Sequence, residues 1–445
     1  MRERNMLKQA LESGKTVSKS ARSKESTPPL SRTASATASP RGGSRIASRE
    51  GSDDEAEFSD DTEWSSRSID ALVAQVDGDD GSDQWIAVLE ERIGAITDRK
   101  RSSTEGRESD MSVFNLLLTR HFAQEQLRRR SDEVVAALLK SVRAGQSERE
   151  VILATKGLAL MIITEPSEDI YDAVADVFKR TINDSPHPHA KTAAIHALSV
   201  ATFYGGATLE ETEEIMEFFL DIASTDGAVI EEADNGEVVA AALEEWGFLC
   251  TQMDDVEEMT EPAMDTFVDQ LESSDASVQI AAGSNIALLY EKSHTEAESD
   301  DEPEPDDENA NVDSHGPRMV KRYTVYRQQH NLEQILERIA KGSSKRVSKK
   351  DRKQLHLEFN DILTTVENPS RGPRYSTALD IDGREYGSRL KITIPGHGGG
   401  KMTIDKWWKL HRLNALKRLL QSGFMVHYEF NQVVFDSLPV IVEDD

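Results

Sequence analysis

Few residues in this sequence stand at spacings that could carry out chemistry, and the neighbours decide each case. His187 and His189 form an H-x-H pair compatible with metal ligation, but Pro186 and Pro188 interleave with them and favour a polar turn. The single cysteine, Cys250, follows Phe248 and Leu249 in an apolar helical stripe, where a thiol is buried and inert; alone it forms no intrachain disulfide. The loop PGHGGGK before Met402 invites comparison with a phosphate-binding loop. That motif needs Gly at 395 and Ser or Thr at 402, where the sequence has Pro395 and Met402, so it reads as a hairpin tip. No nucleophile elbow or metal motif appears, and the chain is expected to be no enzyme, with no cofactor and no small-molecule substrate.

What remains is recognition of phosphate by basic side chains. Lys345, Arg346, Lys349, Lys350, Arg352 and Lys353 form the densest basic cluster. The same composition suits RNA phosphates, a nuclear import signal or a solvated face, and all three stay open. A second group, Lys401, Lys406, Lys409 and Arg412, surrounds Trp408, which is either a stacking platform for an RNA base or a packed side chain. Both groups lie between Pro317 and His427, where 23 Lys and Arg against 10 Asp and Glu give a net of +13. The whole chain of 445 residues carries −29, so the remainder holds −42. An acidic body is thus joined to a basic module able to dock on a polyanion at short range.

The elements that position these residues follow from composition and period. Hydrophobic residues make up 37%, below the roughly 45–50% of ordinary globular chains, so part of the chain is expected to be unfolded. That part is the Ser/Arg/Asp-rich tail, residues 1–64, whose Arg32-x-x-Ser35, Arg41-x-x-Ser44 and Arg45-x-x-Ser48 are either phosphorylation sites or chance tripeptides. Residues 294–317, rich in acids and prolines, read as an extended linker, residues 318–437 as the basic C-terminal domain and 438–445 as an acidic tail. No stretch reaches the roughly 20 apolar residues of a membrane span, and the lack of paired cysteines fits a reducing compartment. A cytoplasmic protein is expected, with shuttling to the nucleus.

Residues 65–293 repeat at helical spacing. Val134, Leu138 and Leu139, then Ile170, Val174, Val177 and Phe178, then Ile215, Phe218, Phe219 and Ile222 make successive apolar stripes, with Pro166, Pro186 and Pro188 at block edges. Aligned on Ser147, Ser185, Asn235 and Asp275, four blocks place Ala159, Ala197, Gly247 and Ala287 at one register, predicted to be buried. Periods near 40 indicate an armadillo- or HEAT-like α-solenoid, a fold that presents an extended surface to partners. Its excess of Glu and Asp suits basic protein surfaces, or is simply solvated.

In the C-terminal module, Leu332, Ile335, Leu336 and Ile339 form one helix stripe stopped by Gly342. Leu355, Phe359, Ile362 and Val366 form the next, entered through a Ser348/Asp351 capping box. Residues 384–394 alternate as a strand, with Leu390, Ile392 and Ile394 opposite Arg389, Lys391 and Thr393. A last helix near 405–421 carries Leu410, Leu413, Leu416 and Leu420 and is expected to stop at Gly423. The fold class is therefore mainly α: a solenoid followed by a small basic α+β module, with a disordered N-terminal tail.

The runs KKDRKQLHLEFNDILTTVE, IDGREYGSRLKI and KMTIDKWWKLHRLNALKRLLQSGFMVHYEFN resemble the C-terminal domain of the interferon-related developmental regulator family, including Ile404, Asp405 and Trp407 at the entrance to the last helix and Gly423-Phe424-Met425 at its exit. The helical body resembles that family's armadillo-type domain, and SVFNLLLTRHF its early helix. The glycine-rich loop at 396–400 is longer than the family pattern, and the N-terminal tail matches nothing useful. The resemblance implies one of two roles. One is a regulator of translation bound to inactive ribosomes, touching ribosomal RNA and ribosomal proteins; the other is a nuclear transcriptional co-regulator that scaffolds nuclear regulatory proteins. The charge map favours the ribosome.

Overall fold

Side-chain oxygens of Ser103, Ser147, Thr208, Asn235 and Asp275 each accept an N–H from the first turn of a helix and so fix where five helices begin. Thr208 and Glu211 complete a reciprocal capping box. The computed structural model describes residues 84–98, 103–297, 319–342, 349–379, 385–394 and 401–439. The expected disordered tail and the capping Ser348 lie outside them, as does most of the acidic linker. Among the described residues no helix is long and apolar enough to cross a membrane.

The helices are α1 Gln84–Thr97, α2 Thr104–Arg120, the short α3 Gln124–Leu127, α4 Ser131–Ala144, α5 Glu148–Thr164, α6 Glu168–Asp184 and α7 Pro188–Tyr204. They continue with α8 Leu209–Ser224, α9 Gly236–Cys250, α10 Glu257–Gln270, α11 Ala276–Lys292, α12 Gln329–Ala340 and α13 Lys349–Glu367. They pack as six pairs, α1/α2, α4/α5, α6/α7, α8/α9, α10/α11 and α12/α13. The second helix of every pair lies beside the second helix of the next, so α2, α5, α7, α9, α11 and α13 form a continuous inner layer. Such stacking buries a face that no single pair could cover. The stripes read from the sequence face this core: Leu138, Val174, Phe178, Ile215 and Phe219 are fully buried, with Phe218 only half so.

Ala159, Ala197, Gly247 and Ala287 are buried in α5, α7, α9 and α11, as the repeat alignment predicts. The alignment errs at one start. Ser185 is not the N-cap of α7; its hydroxyl accepts from the His187 N–H, His187 is the cap, and Pro188 opens the helix two residues later than the alignment expects. A second difference concerns the module boundary. The α12/α13 pair, with Leu355, Phe359, Ile362 and Val366 buried, continues the stack against α11 instead of starting a separate domain. Gly342 ends α12 in the left-handed region, φ +60°, as expected. The edges of the acidic linker are joined, because β1 His294–Glu296 pairs antiparallel with β2 Met319–Lys321.

Two hairpins follow α13. β3 Tyr375–Leu379 pairs with β4 Glu385–Ser388, and β5 Lys391–Thr393 pairs with β6 Lys401–Thr403. The predicted single strand 384–394 is thus broken at Arg389 and Leu390, where the chain leaves one partner for the other. Its alternation holds: Leu390, Ile392 and Ile394 are covered while Arg389, Lys391 and Thr393 are exposed. The glycine-rich loop itself lies outside the described residues, between the paired β5 and β6.

The chain then crosses the inner layer as a strap made of α14 Trp407–Leu420, a 3₁₀ turn Gln421–Gly423, α15 Phe424–Phe430 and α16 Gln432–Ser437. It starts at α11, where the Glu291 carboxylate accepts the backbone N–H groups of Trp407 (2.8 Å) and Trp408 (3.1 Å). It ends against α2, α5 and α7: His427 Nε2 donates to Leu118 O (2.8 Å), Asn431 Nδ2 to Ile163 O (2.8 Å), and Tyr204 OH meets Ser437 Oγ (2.9 Å). The solenoid therefore does not leave this face open to partners, contrary to expectation. The fold also extends into the expected acidic tail as far as the buried Leu438.

Two glycines permit the close approach. A Cβ on Gly247 would stand 2.1 Å from Asn285 Oδ1 and 2.5 Å from His411 Cε1. Gly423 was expected to stop the last helix; α14 ends at Leu420, Gln421 takes a positive φ of +46°, and Gly423 has φ −85°. Its glycine is required by contact, since a Cβ there would meet Thr119 O of α2 at 1.7 Å. Backbone cannot yield as a side-chain tip can. Gly423→Ala is expected to destabilise the chain by about 1–3 kcal/mol, the usual cost of overpacking, read as a lower urea midpoint with unchanged slope. An unchanged midpoint would mean that the strap is not held against α2.

Candidate nucleic-acid interface

The second predicted basic group dissolves into the strap. Arg412 projects from α14 between Phe203 and Trp408, its Cζ 5.1 and 4.9 Å from the ring centroids, and donates to Thr251 Oγ1 and O at 2.9 Å and to Ser437 O at 3.3 Å. Trp408 is half-buried on the core and stacks with this arginine, so its packed reading prevails over a platform for a base. Lys409 is buried and pairs with Asp405 at 2.5 Å. Lys406 is half-buried beside Glu291, leaving Lys401 as the exposed member of the group.

The strap's charge answers the solenoid's. Arg418 reaches Glu244, and its Nη1 lies 3.1 Å from Glu245 Oε1. Glu245 is buried in α9 and is also held by His196 Nδ1 at 2.7 Å and by the Ser199 hydroxyl. Burial opposes its charge, but Arg418 and these hydrogen bonds outweigh it and hold the carboxyl below its usual range. Glu291 differs: burial pushes its carboxyl up, against Lys406 and the two tryptophan N–H groups. A carboxylate from α11 thus occupies the positive end of α14. These pairings were not legible from net charge, which signals only that acid and base exist on separate segments.

The first cluster stays on the surface where it is described. Lys345 and Arg346 lie outside the described residues, and Lys349 and Lys350 open α13 with side chains that are likewise outside them. Arg352 and Lys353 are exposed on its first turns. Further along α13, Glu358 and Asp361 pair with Arg374 at 2.8 and 3.3 Å and fix the root of the β3/β4 hairpin. Beyond that root the hairpins expose Arg389 and Lys391, which the sequence reading placed on the polar side of a strand without assigning them to the interface, together with Lys401. The α13 entrance and the hairpins therefore stand at the same end of the stack.

The remaining chemical candidates have structural duties. His189 pairs with Glu237 at 3.0 Å, which raises its imidazole pKa, and His187 stands at the N-cap position of α7 without a side-chain hydrogen bond to its first turn. Cys250 is buried, which pushes its thiol up to about 12. Among the described residues no three His, Cys, Asp or Glu side chains converge to hold a metal ion.

Two strap histidines carry a pH signature. Burial lowers both His411 and His427 to about 4, from an ordinary 6.5. Between those values the unfolded chain binds protons there that the folded chain refuses, so stability falls as pH drops through that window. Asp361 acts in the opposite sense below about pH 6, because burial raises it to about 6. NMR titration should show both imidazoles neutral until about pH 4, and the unfolding midpoint of an Asp361→Asn chain should fall more steeply with acid than that of the unaltered chain. Ordinary titration of His411 and His427 near 6.5 would contradict their burial.

Comparison with known proteins identifies the family. The family model described as interferon-related developmental regulator matches residues 52–367, ending at the last residue of α13. An uncharacterized protein of Schizosaccharomyces pombe is 27% identical over 357 residues, covering 78% of this chain and 73% of the relative. Interferon-related developmental regulator 1 of Sus scrofa is 24% identical over 353 residues, covering 75% and 67%, and interferon-related developmental regulator 2 of Mus musculus is 20% identical over 368 residues, covering 79% and 73%. With a family model matched across its helical stack, the chain belongs to the interferon-related developmental regulator family.

Proposed function

We propose that this protein is a non-enzymatic regulator of translation that binds inactive ribosomes. The observation that carries the reading is where the positive charge is left. The strap's Lys409, Arg412 and Arg418 are engaged within the molecule, whereas Lys353, Lys391 and Lys401 are exposed at the α13 end. A basic surface at the α13 end of a chain that carries −29 overall suits ribosomal RNA, because positive charge there orients docking on phosphate. The outer helices, with exposed Glu210, Glu213, Glu214 and Glu217 on α8 and Glu257, Glu258 and Glu261 on α10, suit the basic proteins of the same particle. Ribosomal RNA and ribosomal proteins are thus the partners, and the cytoplasm the main location.

Sucrose gradients of starved cells test the reading. The protein should travel with monosomes and be stripped by high salt, since phosphate contacts release counterions. Charge reversal at Lys349, Lys350, Arg352 and Lys353 should abolish this association while circular dichroism shows intact helices. A protein absent from monosomes and recovered in chromatin-associated complexes would instead make it a nuclear scaffold.

A further inference from the structure

The two hairpins carry a surface that the proposed ribosomal role does not itself specify. Arg389 and Lys391 point to one side of their strand, and the opposite side, with Ile394, Met402 and Ile404, is buried. Lys391 pairs with Thr403 and Thr393 with Lys401, so Lys401 lies on the same face, diagonal to Lys391 across β5 and β6. Backbone pairing extends each hairpin toward the other, through Ile404 N to Leu390 O at 2.8 Å and Arg389 N to Arg374 O at 3.0 Å, and the Ser388 hydroxyl ties the two together at 2.9 Å from Pro373 O and 2.7 Å from Ile404 O. Among the described residues none of the three cations has an ion-pair partner. Beside Arg389, Tyr386 is 56% exposed, with the guanidinium 5.5 Å from its ring centroid, and Leu379 on the neighbouring strand is 63% exposed.

Cations on one hairpin face beside an exposed aromatic ring are the two parts of a single-strand nucleic-acid site. The cations follow the backbone and the ring stacks a base, which any base allows because each has a π-face. A duplex would meet the cations but could not offer an unstacked base to Tyr386. We propose that the β4–β5–β6 face binds single-stranded RNA, with Tyr386 stacking a base and Arg389, Lys391 and Lys401 holding the adjoining phosphates. The inference rests on the ribosomal reading only for the source of that RNA; the binding site stands on the hairpin geometry.

The test uses the full chain and a fluorescein-labelled oligouridine of about twelve nucleotides, followed by anisotropy across a salt series. Tyr386→Ala should weaken binding roughly 5- to 150-fold, the range for loss of one stacked base, while Tyr386→Phe should retain it. Joint reversal R389E, K391E and K401E should lower the log–log salt slope by about 2 units, at about 0.7 per phosphate contact. Circular dichroism and the urea midpoint confirm that each variant is folded. An unaltered affinity in folded Tyr386→Ala, or no binding of oligouridine by the unaltered chain, overturns the site. The gradient experiment decides the other reading separately: monosome association with no oligouridine binding would leave the ribosomal role standing and remove this one, and oligouridine binding without monosome association would do the reverse.

Discussion

A buried charge must be answered where it is buried, and Glu245 sets that requirement at the centre of the inner layer. Its carboxylate is held by His196 and Ser199 from α7, but the full countercharge comes from Arg418, more than 170 residues further along the chain. Leaving one member of such a pair alone typically costs about 3–5 kcal/mol, although the pair need not add stability relative to apolar replacements. At the other end the buried Glu291, whose carboxyl burial pushes up, accepts two backbone N–H groups of α14. The strap therefore belongs to the fold of the solenoid. Small residues make it sterically possible: Gly247 lets His411 lie against α9, and Gly423 lets the turn lie on Thr119.

This arrangement separates two kinds of basic residue that look alike in sequence. Arg412 and Lys401 belong to one basic stretch, yet Arg412 is sandwiched between Phe203 and Trp408 while Lys401 stands in solvent on a hairpin. The internal set orients the strap; the external set leaves positive charge in solvent at the α13 end. An acidic body and a basic segment in one chain invite mutual neutralisation, and the part left over is what an outside polyanion can meet.

The repeat was legible because burial imposes a 3.6-residue period and because helix starts need side-chain acceptors. Ser147, Asn235 and Asp275 mark their helices in the sequence and cap them in the structure. Ser185 misled because Pro188 can open a helix on its own, with no cap at the aligned place. Hairpin alternation was legible for the related reason that Leu390, Ile392 and Ile394 must face the core. What local pattern could not convey was tertiary: that α14 would turn its Arg412 and Trp408 toward the solenoid, that α13 would extend the stack, and that Gly423 was demanded by Thr119 more than 300 residues away. Tyr386 escaped attention because a single aromatic in a short strand is ordinarily packed, and only its exposure distinguishes it.

If the strap and the solenoid are one structure, they should open together. Native-state hydrogen exchange on the full chain measures this directly, since each amide reports the free energy of the opening that exposes it. Amides in the middle of α14, from Arg412 to Leu419, should exchange only with the global unfolding that also releases the inner helices α9 and α11. Exchange of α14 by a separate opening several kcal/mol below that of α9 and α11 would contradict the account and make the strap a detachable segment lying on an independently stable solenoid.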